Sequence, residues 1–248
     1  MGDKRKKVRL DDLLVARGLC ADRDEALRCV LAHEVKVDDA FAASAAMQVA
    51  ADADVQVKGA GPYVSRGGLK LRGALDAFGL DAAGLRCLDA GCSTGGFTDC
   101  LLQAGATSVA CVDVGYGDLA WKLRSDPRTA VFERTNIRTA DPTALGAPFD
   151  MIVADLSFIG LASLAPVFAA LSASGTVFVG LVKPQFESQV GETDSRGLVA
   201  DEAVRARTVD EVRAALAAAG FDVRGVAESP ICGRKSGNVE YLVYAVYV

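Results

Sequence analysis

The stretch "LDAGCSTGGFTDCLLQAG", Leu88 to Gly105, decides how the rest of the chain is read. An apolar run stops at Asp89, Gly91, Gly95 and Gly96 follow, and a helical pattern then begins. A glycine-rich turn between a strand and a helix marks the ligand-binding edge of an open α/β sheet.

Working outward, apolar runs alternate with helical patterns. Strands are predicted at 86–90, 108–114, 130–134, 149–156 and 175–183, with helices near 96–104, 163–171 and 201–220. The runs "FDVRGVAES" and "VEYLVYAVYV" read as a closing hairpin on the sheet's edge. This alternation predicts the α/β class: a Rossmann-like, mostly parallel seven-stranded sheet with helices on both faces. A small α+β module precedes it over residues 1–58. There Leu10, Leu13 and Leu14 share one helical face, Asp22 caps a second helix with Ala26, Leu27, Val30 and Leu31 on one face, and "VKVDD" and "DVQV" read as paired strands. The glycine and proline of 59–63 suggest a linker, leaving 64–248 as the larger domain.

Composition excludes several classes. A net charge of −5 rules out a uniformly basic nucleic-acid wrapper, so any RNA contact needs a local patch. With His33 as the single histidine, a Ser-His-Asp triad at the loop and a multi-histidine metal site are both excluded, and no metal is expected. Seven cysteines without a C-x-x-C pair, and no signal-peptide pattern, read as reduced thiols in a cytoplasm. Leu156–Val182 carries no charge, but Pro166 and the break at Ser172–Gly175 divide it into a helix and a strand rather than a membrane span.

Three ligands compete for the loop. A P-loop needs Gly-Lys-Ser/Thr, whereas here Phe97 and Thr98 follow the glycine pair. A dinucleotide site needs G-x-G-x-x-G, and this loop reads G-x-x-x-G-G. Asp89 at the strand end would repel a pyrophosphate but attract a cation. S-adenosylmethionine, with an ammonium, a sulfonium and no phosphate, fits best; the glycines would let backbone amides approach its carboxylate. Asp113 follows at roughly the twenty-residue spacing from which an acid reaches ribose hydroxyls. Gly91, Cys92, Thr94, Gly95 and Gly96 complete the expected cofactor site. Asp155 and Lys183 end two further strands on the same edge. A lysine directly after five apolar residues requires a carboxylate neighbour or a depressed pKa.

The blocks "VSRGGLKLRGAL", "CLDAGCSTGGFTDCLL", "VDVGYGDLAWKLRSDPR", "ERTNIR", "VADLSFI", "LVKPQFE" and "SGNVEYLVY" together resemble the TlyA / hemolysin A family of FtsJ-like RNA 2′-O-methyltransferases. The N-terminal "RLDDLLVARGLCADRDEALRCVLAHEVKVDD" resembles the small RNA-binding domain of ribosomal protein S-four. The resemblance implies a Lys70–Asp155–Lys183–Glu240 catalytic tetrad and a cofactor contact from Asn136. It also implies an adenosylmethionine-dependent ribosomal RNA (cytidine-2′-O)-methyltransferase, with ribosomal RNA or subunits as partner and neither DNA nor membrane. Lys183 is expected to act as general base, Lys70 to stabilise the developing oxyanion, and the two acids to orient the lysines.

Two departures stand out. The loop after "LVKPQFE" reads "SQVGETDSRGLV", with Glu192 and Asp194 where the family is rich in glycine and lysine. The N-terminal module has His33 and Asp39 in place of glycines, and holds ten Lys/Arg against eleven Asp/Glu over residues 1–58. Its RNA contacts are expected from the cluster Lys4, Arg5, Lys6, Lys7 and Arg9, and from Arg17, Arg23 and Arg28 on helix faces. The alternatives to an enzyme are a non-catalytic ribosome-binding or assembly factor and a membrane-active haemolysin.

Overall fold

The computed structural model describes residues 7–20, 22–57, 61–233 and 237–248. The chain divides into two compact units, Met1–Ser65 and Arg66–Val248.

In chain order the first unit comprises β1 (Lys7–Arg9), α1 (Leu10–Ala16), α2 (Arg23–Leu31), β2 (Val35–Val37), β3 (Ala40–Phe41), β4 (Gln48–Ala50) and β5 (Val55–Val57). Strands β3, β2 and β5 form one sheet in that order, while β1 and β4 pair separately. Leu10, Leu13 and Leu14 are buried, as their spacing predicts, and the Asp22 carboxylate accepts from the Glu25 amide at 2.7 Å to start α2. The expected apolar face of α2 is corrected. Ala26 and Val30 are buried, but Leu27 and Leu31 are 46% and 72% exposed, because this small core is filled from α1 and the strands instead.

The second unit continues with α3 (Gly67–Phe78), β6 (Arg86–Ala90), α4 (Gly96–Gln103), β7 (Ser108–Val112), α5 (Trp121–Arg124), β8 (Thr129–Phe132), α6 (Pro142–Leu145) and β9 (Phe149–Ala154). A 3₁₀ turn (Ala162–Leu164) then leads into α7 (Ala165–Ala170), β10 (Ser172–Val182), α8 (Pro184–Glu187), α9 (Glu202–Ala218), β11 (Phe221–Glu228) and β12 (Tyr241–Tyr247). The seven strands lie in the order β11-β12-β10-β9-β6-β7-β8. Strands β10, β9, β6, β7 and β8 are parallel, and β12 runs antiparallel to both β10 and β11. The closing hairpin lies at one edge of the sheet as expected, with β12 against β10 and β11 outermost.

Ring contacts tie this hairpin to the core: Phe168 on Phe178 (4.8 Å), Phe178 on Phe221 (5.6 Å) and Phe221 on Tyr247 (5.1 Å). Such pairs contribute about 0.5–1.5 kcal/mol each beyond their buried area. The uncharged 156–182 run supplies the 3₁₀ turn, α7 and β10 of this core. Among the described residues no helix is long and apolar enough to cross a membrane.

The order of connection reverses at β6, whose neighbours are β7 on one side and β9 on the other. Open α/β sheets bind ligands at such a switch point, outside the carboxyl ends of the strands. Every site residue expected from this unit's strand ends follows from that placement.

Candidate active site

Asp89, near the end of β6, is fully buried. Its Oδ2 accepts from the Thr98 amide at 2.9 Å and the Thr98 hydroxyl at 2.6 Å, so one oxygen caps the first turn of α4. Its Oδ1 is buried and has no partner among the described residues. Burial pushes this carboxyl up to about 7; the Thr98 hydroxyl and amide oppose the rise, and the nearby Asp155 and Asp113 carboxylates add to it. A buried acid with one oxygen orphaned and two carboxylates near it is a site that favours a cation.

Two of the loop amides are engaged within the chain. Gly91 and Cys92 both donate to the Val112 carbonyl, at 2.8 and 3.2 Å, which fastens the loop to β7. Gly91 is needed for close approach, since a Cβ there would stand 2.6 Å from the Asp155 carbonyl oxygen. Gly95, at φ 94°, packs under Leu119 and Leu123, and Gly96 opens α4. Thr94 is exposed, and its carbonyl accepts from Ala120 at 3.2 Å. The glycines therefore serve chain packing first. The Cys92 thiol is buried, and burial raises its pKa well above the ordinary range, which makes it an inert packing group.

Asp113 accepts from the Ser93 amide at 2.9 Å through Oδ2 and from the Gly115 amide at 2.7 Å through Oδ1, bridging the loops after β6 and β7. An ionised carboxylate has about four lone-pair positions, so capacity for ribose hydroxyls remains. Asn136 is exposed beyond β8, and its Oδ1 accepts from the Arg138 amide at 3.0 Å.

The four charged residues of the tetrad form two ion pairs. Lys183 Nζ lies 2.6 Å from Asp155 Oδ1, with side-chain exposures of 11% and 22%. The contact is an ion pair outside hydrogen-bond alignment, since that oxygen has no hydrogen-bond partner among the described residues, and the ammonium donates instead to Ser157 Oγ at 3.2 Å. Pro184 at the start of α8 ends β10 and leaves Lys183 at the strand's mouth. Lys70, on α3, lies 2.5 Å from Glu240 Oε2, with side-chain exposures of 12% and 3%. Val182 pairs with Tyr241 across β10 and β12, so Lys183 and Glu240 stand one step beyond the last paired residues on adjoining strands. The pairing of β12 with β10 is what brings Glu240 to this edge.

In the first unit, the expected RNA-contact residues Lys4, Arg5 and Lys6 lie outside the described residues. Lys7 and Arg28 are exposed. Three arginines are engaged internally: Arg9 with Asp11 at 2.5 Å, Arg17 with the carbonyls of Ala53 (2.7 Å) and Ala51 (2.8 Å), and Arg23 with Asp12. Arg17 in particular holds the turn before β5, a structural task that its helical position did not reveal. In the second unit the acids of the departing loop are likewise neutralised, Glu192 by Arg207 at 2.5 Å and Asp194 by Arg196 at 3.0 Å.

Several residues at the site were not singled out from the sequence. Thr98 satisfies Asp89, and its signal is a hydroxyl in the first turn of the helix after the loop. Ser157, two residues past Asp155, accepts from Lys183. Phe158 is 90% exposed at φ 65°, a left-handed conformation that a bulky residue adopts only under constraint, and packs on Phe186 at 5.4 Å. Phe186 in turn lies 5.8 Å from the Lys183 ammonium.

Comparison with known proteins places this geometry. The FtsJ-like methyltransferase family matches residues 63–247. The chain is 45% identical over 241 residues to the 16S/23S rRNA (cytidine-2′-O)-methyltransferase TlyA of Mycobacterium tuberculosis, covering 96% of this chain and 90% of that protein. It is 34% identical over 240 residues to hemolysin A of Brachyspira hyodysenteriae, covering 96% and 100% respectively. A solved structure of a candidate hemolysin from Streptococcus thermophilus matches with a TM-score of 0.76 at 36% identity, over 98% of this chain and 90% of that one. A seven-stranded sheet with an inserted antiparallel strand, a glycine loop at its switch point and a match across the whole larger unit agree: the chain belongs to the FtsJ-like methyltransferase family.

Proposed function

We infer that this chain methylates a ribose 2′-hydroxyl of ribosomal RNA, on a cytidine as in the mycobacterial relative, using S-adenosylmethionine. The observation that carries the reading is the Lys183–Asp155 ion pair at the sheet's carboxyl edge, one strand from the orphaned oxygen of Asp89.

The residues fit the cofactor. Asp89 Oδ1 is a buried acceptor awaiting a cation, Asp113 keeps acceptor capacity for ribose hydroxyls, and Gly91, Cys92, Thr94, Gly95, Gly96 and Asn136 would border the molecule. Bound there, S-adenosylmethionine supplies an electrophilic methyl group on a sulfonium. A 2′-hydroxyl barely ionises at neutral pH, so its proton must leave as the new C–O bond forms. Lys183, in its neutral form, accepts that proton; Asp155 and Ser157 hold its nitrogen at the strand mouth. Lys70 places a second positive charge near the developing oxyanion, and Glu240 fixes Lys70. Positioning the two reactants contributes the remainder of the rate. Only RNA carries a 2′-hydroxyl, which excludes DNA.

The first unit would dock structured RNA through Lys7, Arg28 and the cluster Lys4, Arg5 and Lys6. Arg9, Arg17 and Arg23 would contribute mainly to its fold. Ribosomal RNA as substrate puts the protein in the cytoplasm.

The test is transfer of tritiated methyl from S-adenosylmethionine to ribosomal subunits lacking the modification, followed by mapping of alkali-resistant 2′-O-methyl sites. Label at one or a few cytidine riboses is expected. Tight cofactor and subunit binding with no label on either subunit would favour an assembly factor instead.

A further inference from the structure

Resting on the methyl-transfer reading above, we propose that Glu187 is a positioning residue that clamps the segment following Asp155 to the segment following Lys183. The two partners of the ion pair arrive on different strands, Asp155 after β9 and Lys183 after β10. Each is followed by a short excursion: residues 156–161, which carry Ser157 and Phe158, and the four-residue helix α8, which ends at Glu187. Some device must hold those excursions in register if the lysine is to keep a fixed direction.

Glu187 is placed to do so. Its Oε1 accepts a short hydrogen bond from the Leu161 amide, and the Ala162 amide also bonds the carboxylate. These are the opening amides of the 3₁₀ turn Ala162–Leu164, whose N-terminal donors have no partners within the turn itself. The fit leaves no slack: a Cβ at Gly160 would stand 2.5 Å from Glu187 Oε2 and 3.1 Å from the Phe186 carbonyl oxygen. The same contact seats Phe158 on Phe186, whose ring faces the Lys183 ammonium. Glu187 touches no reacting group. It acts through Ser157, Phe158 and the direction of Lys183.

Because the carboxylate serves as an acceptor for backbone amides, an amide side chain of the same shape can replace it. Glu187→Gln should keep the clamp and Glu187→Ala should lose it. Two readouts on the full-length protein decide the matter. The first needs no catalysis: amide hydrogen exchange at Leu161 and Ala162 is expected to accelerate at least tenfold in Glu187→Ala and to stay near wild type in Glu187→Gln. The second is single-turnover methyl transfer, expected to fall about tenfold or more in Glu187→Ala at unchanged S-adenosylmethionine affinity, because small misplacements are costly in an in-line transfer. Recovery is expected in Glu187→Gln. Unchanged exchange in the alanine variant, or a transfer rate equal to wild type, overturns the clamp. A fall in cofactor affinity parallel to the fall in rate also overturns it, as the mark of general destabilisation. If wild-type protein transfers no methyl group, the functional reading has failed, and the exchange experiment still judges the clamp by itself.

Discussion

Lys70 Nζ stands 2.5 Å from Glu240 Oε2 across 170 residues of sequence, and both side chains are almost out of water. Removing one member leaves the other charge buried and alone, which costs about 3–5 kcal/mol, whereas replacing both by apolar groups of similar size is close to neutral. Chemical unfolding should therefore show Lys70→Met to be strongly destabilised and the double variant Lys70→Met/Glu240→Leu to recover most of the loss. Methyl transfer should be lost in both. A double variant as unstable as the single would mean that the pair contributes to the fold beyond its own compensation.

Asp89 predicts a pH dependence. Its folded pKa of about 7 lies above the unfolded carboxylate value of about 3.9. Between those values the native state holds a proton that the unfolded chain has already lost, so this group makes stability fall as pH rises from about 4 to about 7. Asp89→Asn keeps an acceptor for Thr98 and removes the buried charge. Thermal unfolding of the variant should therefore lose that slope and gain stability at neutral pH.

The same residue links protons to cofactor binding. A cation against Oδ1 favours the ionised acid, so S-adenosylmethionine should bind more tightly as pH rises toward 7 and should release a proton on binding below it. Calorimetry in buffers of different ionisation enthalpy measures that release directly. Absence of proton release at pH 6, with affinity unchanged in Asp89→Asn, would remove Asp89 from the cofactor site.

Phe158 is exposed and conformationally strained beside the Lys183 edge. An exposed aromatic there is suited to stack on an unpaired base, worth about 1–3 kcal/mol by truncation. Phe158→Ala should raise the RNA KM roughly tenfold while leaving the unfolding midpoint and cofactor affinity in place. Unchanged RNA kinetics would assign the ring to packing on Phe186 alone.

The sheet was legible because strand and helix periods alternate cleanly from Arg86 to Val182, and Asp89, Asp155 and Lys183 could be placed at strand ends from that pattern alone. Strand order was not. The runs that became β11 and β12 form the edge hairpin their pattern suggests, but nothing in them says that β12 rather than β11 lies against β10. The pairing of Lys70 with Glu240 depends on β12 lying against β10, so it could not be read beforehand, whereas Asp155 and Lys183 meet because β9 and β10 are neighbours. Local competition hid other roles. Arg9 and Arg23 find acids close by in α1, and Arg17 finds two carbonyls, which satisfies charges that composition alone offered to RNA. The packing task of the loop glycines was hidden in a similar way: Gly91 fits against the Asp155 backbone, a contact between segments far apart in sequence.

The most direct measurement pairs S-adenosylmethionine binding with single-turnover methyl transfer in Lys183→Ala. The variant should bind the cofactor within about threefold of wild type and transfer methyl roughly 10²–10⁴-fold more slowly, the span expected when a general base is removed. Transfer at near the wild-type rate would contradict the account, because the proton would then leave by a route that does not use Lys183.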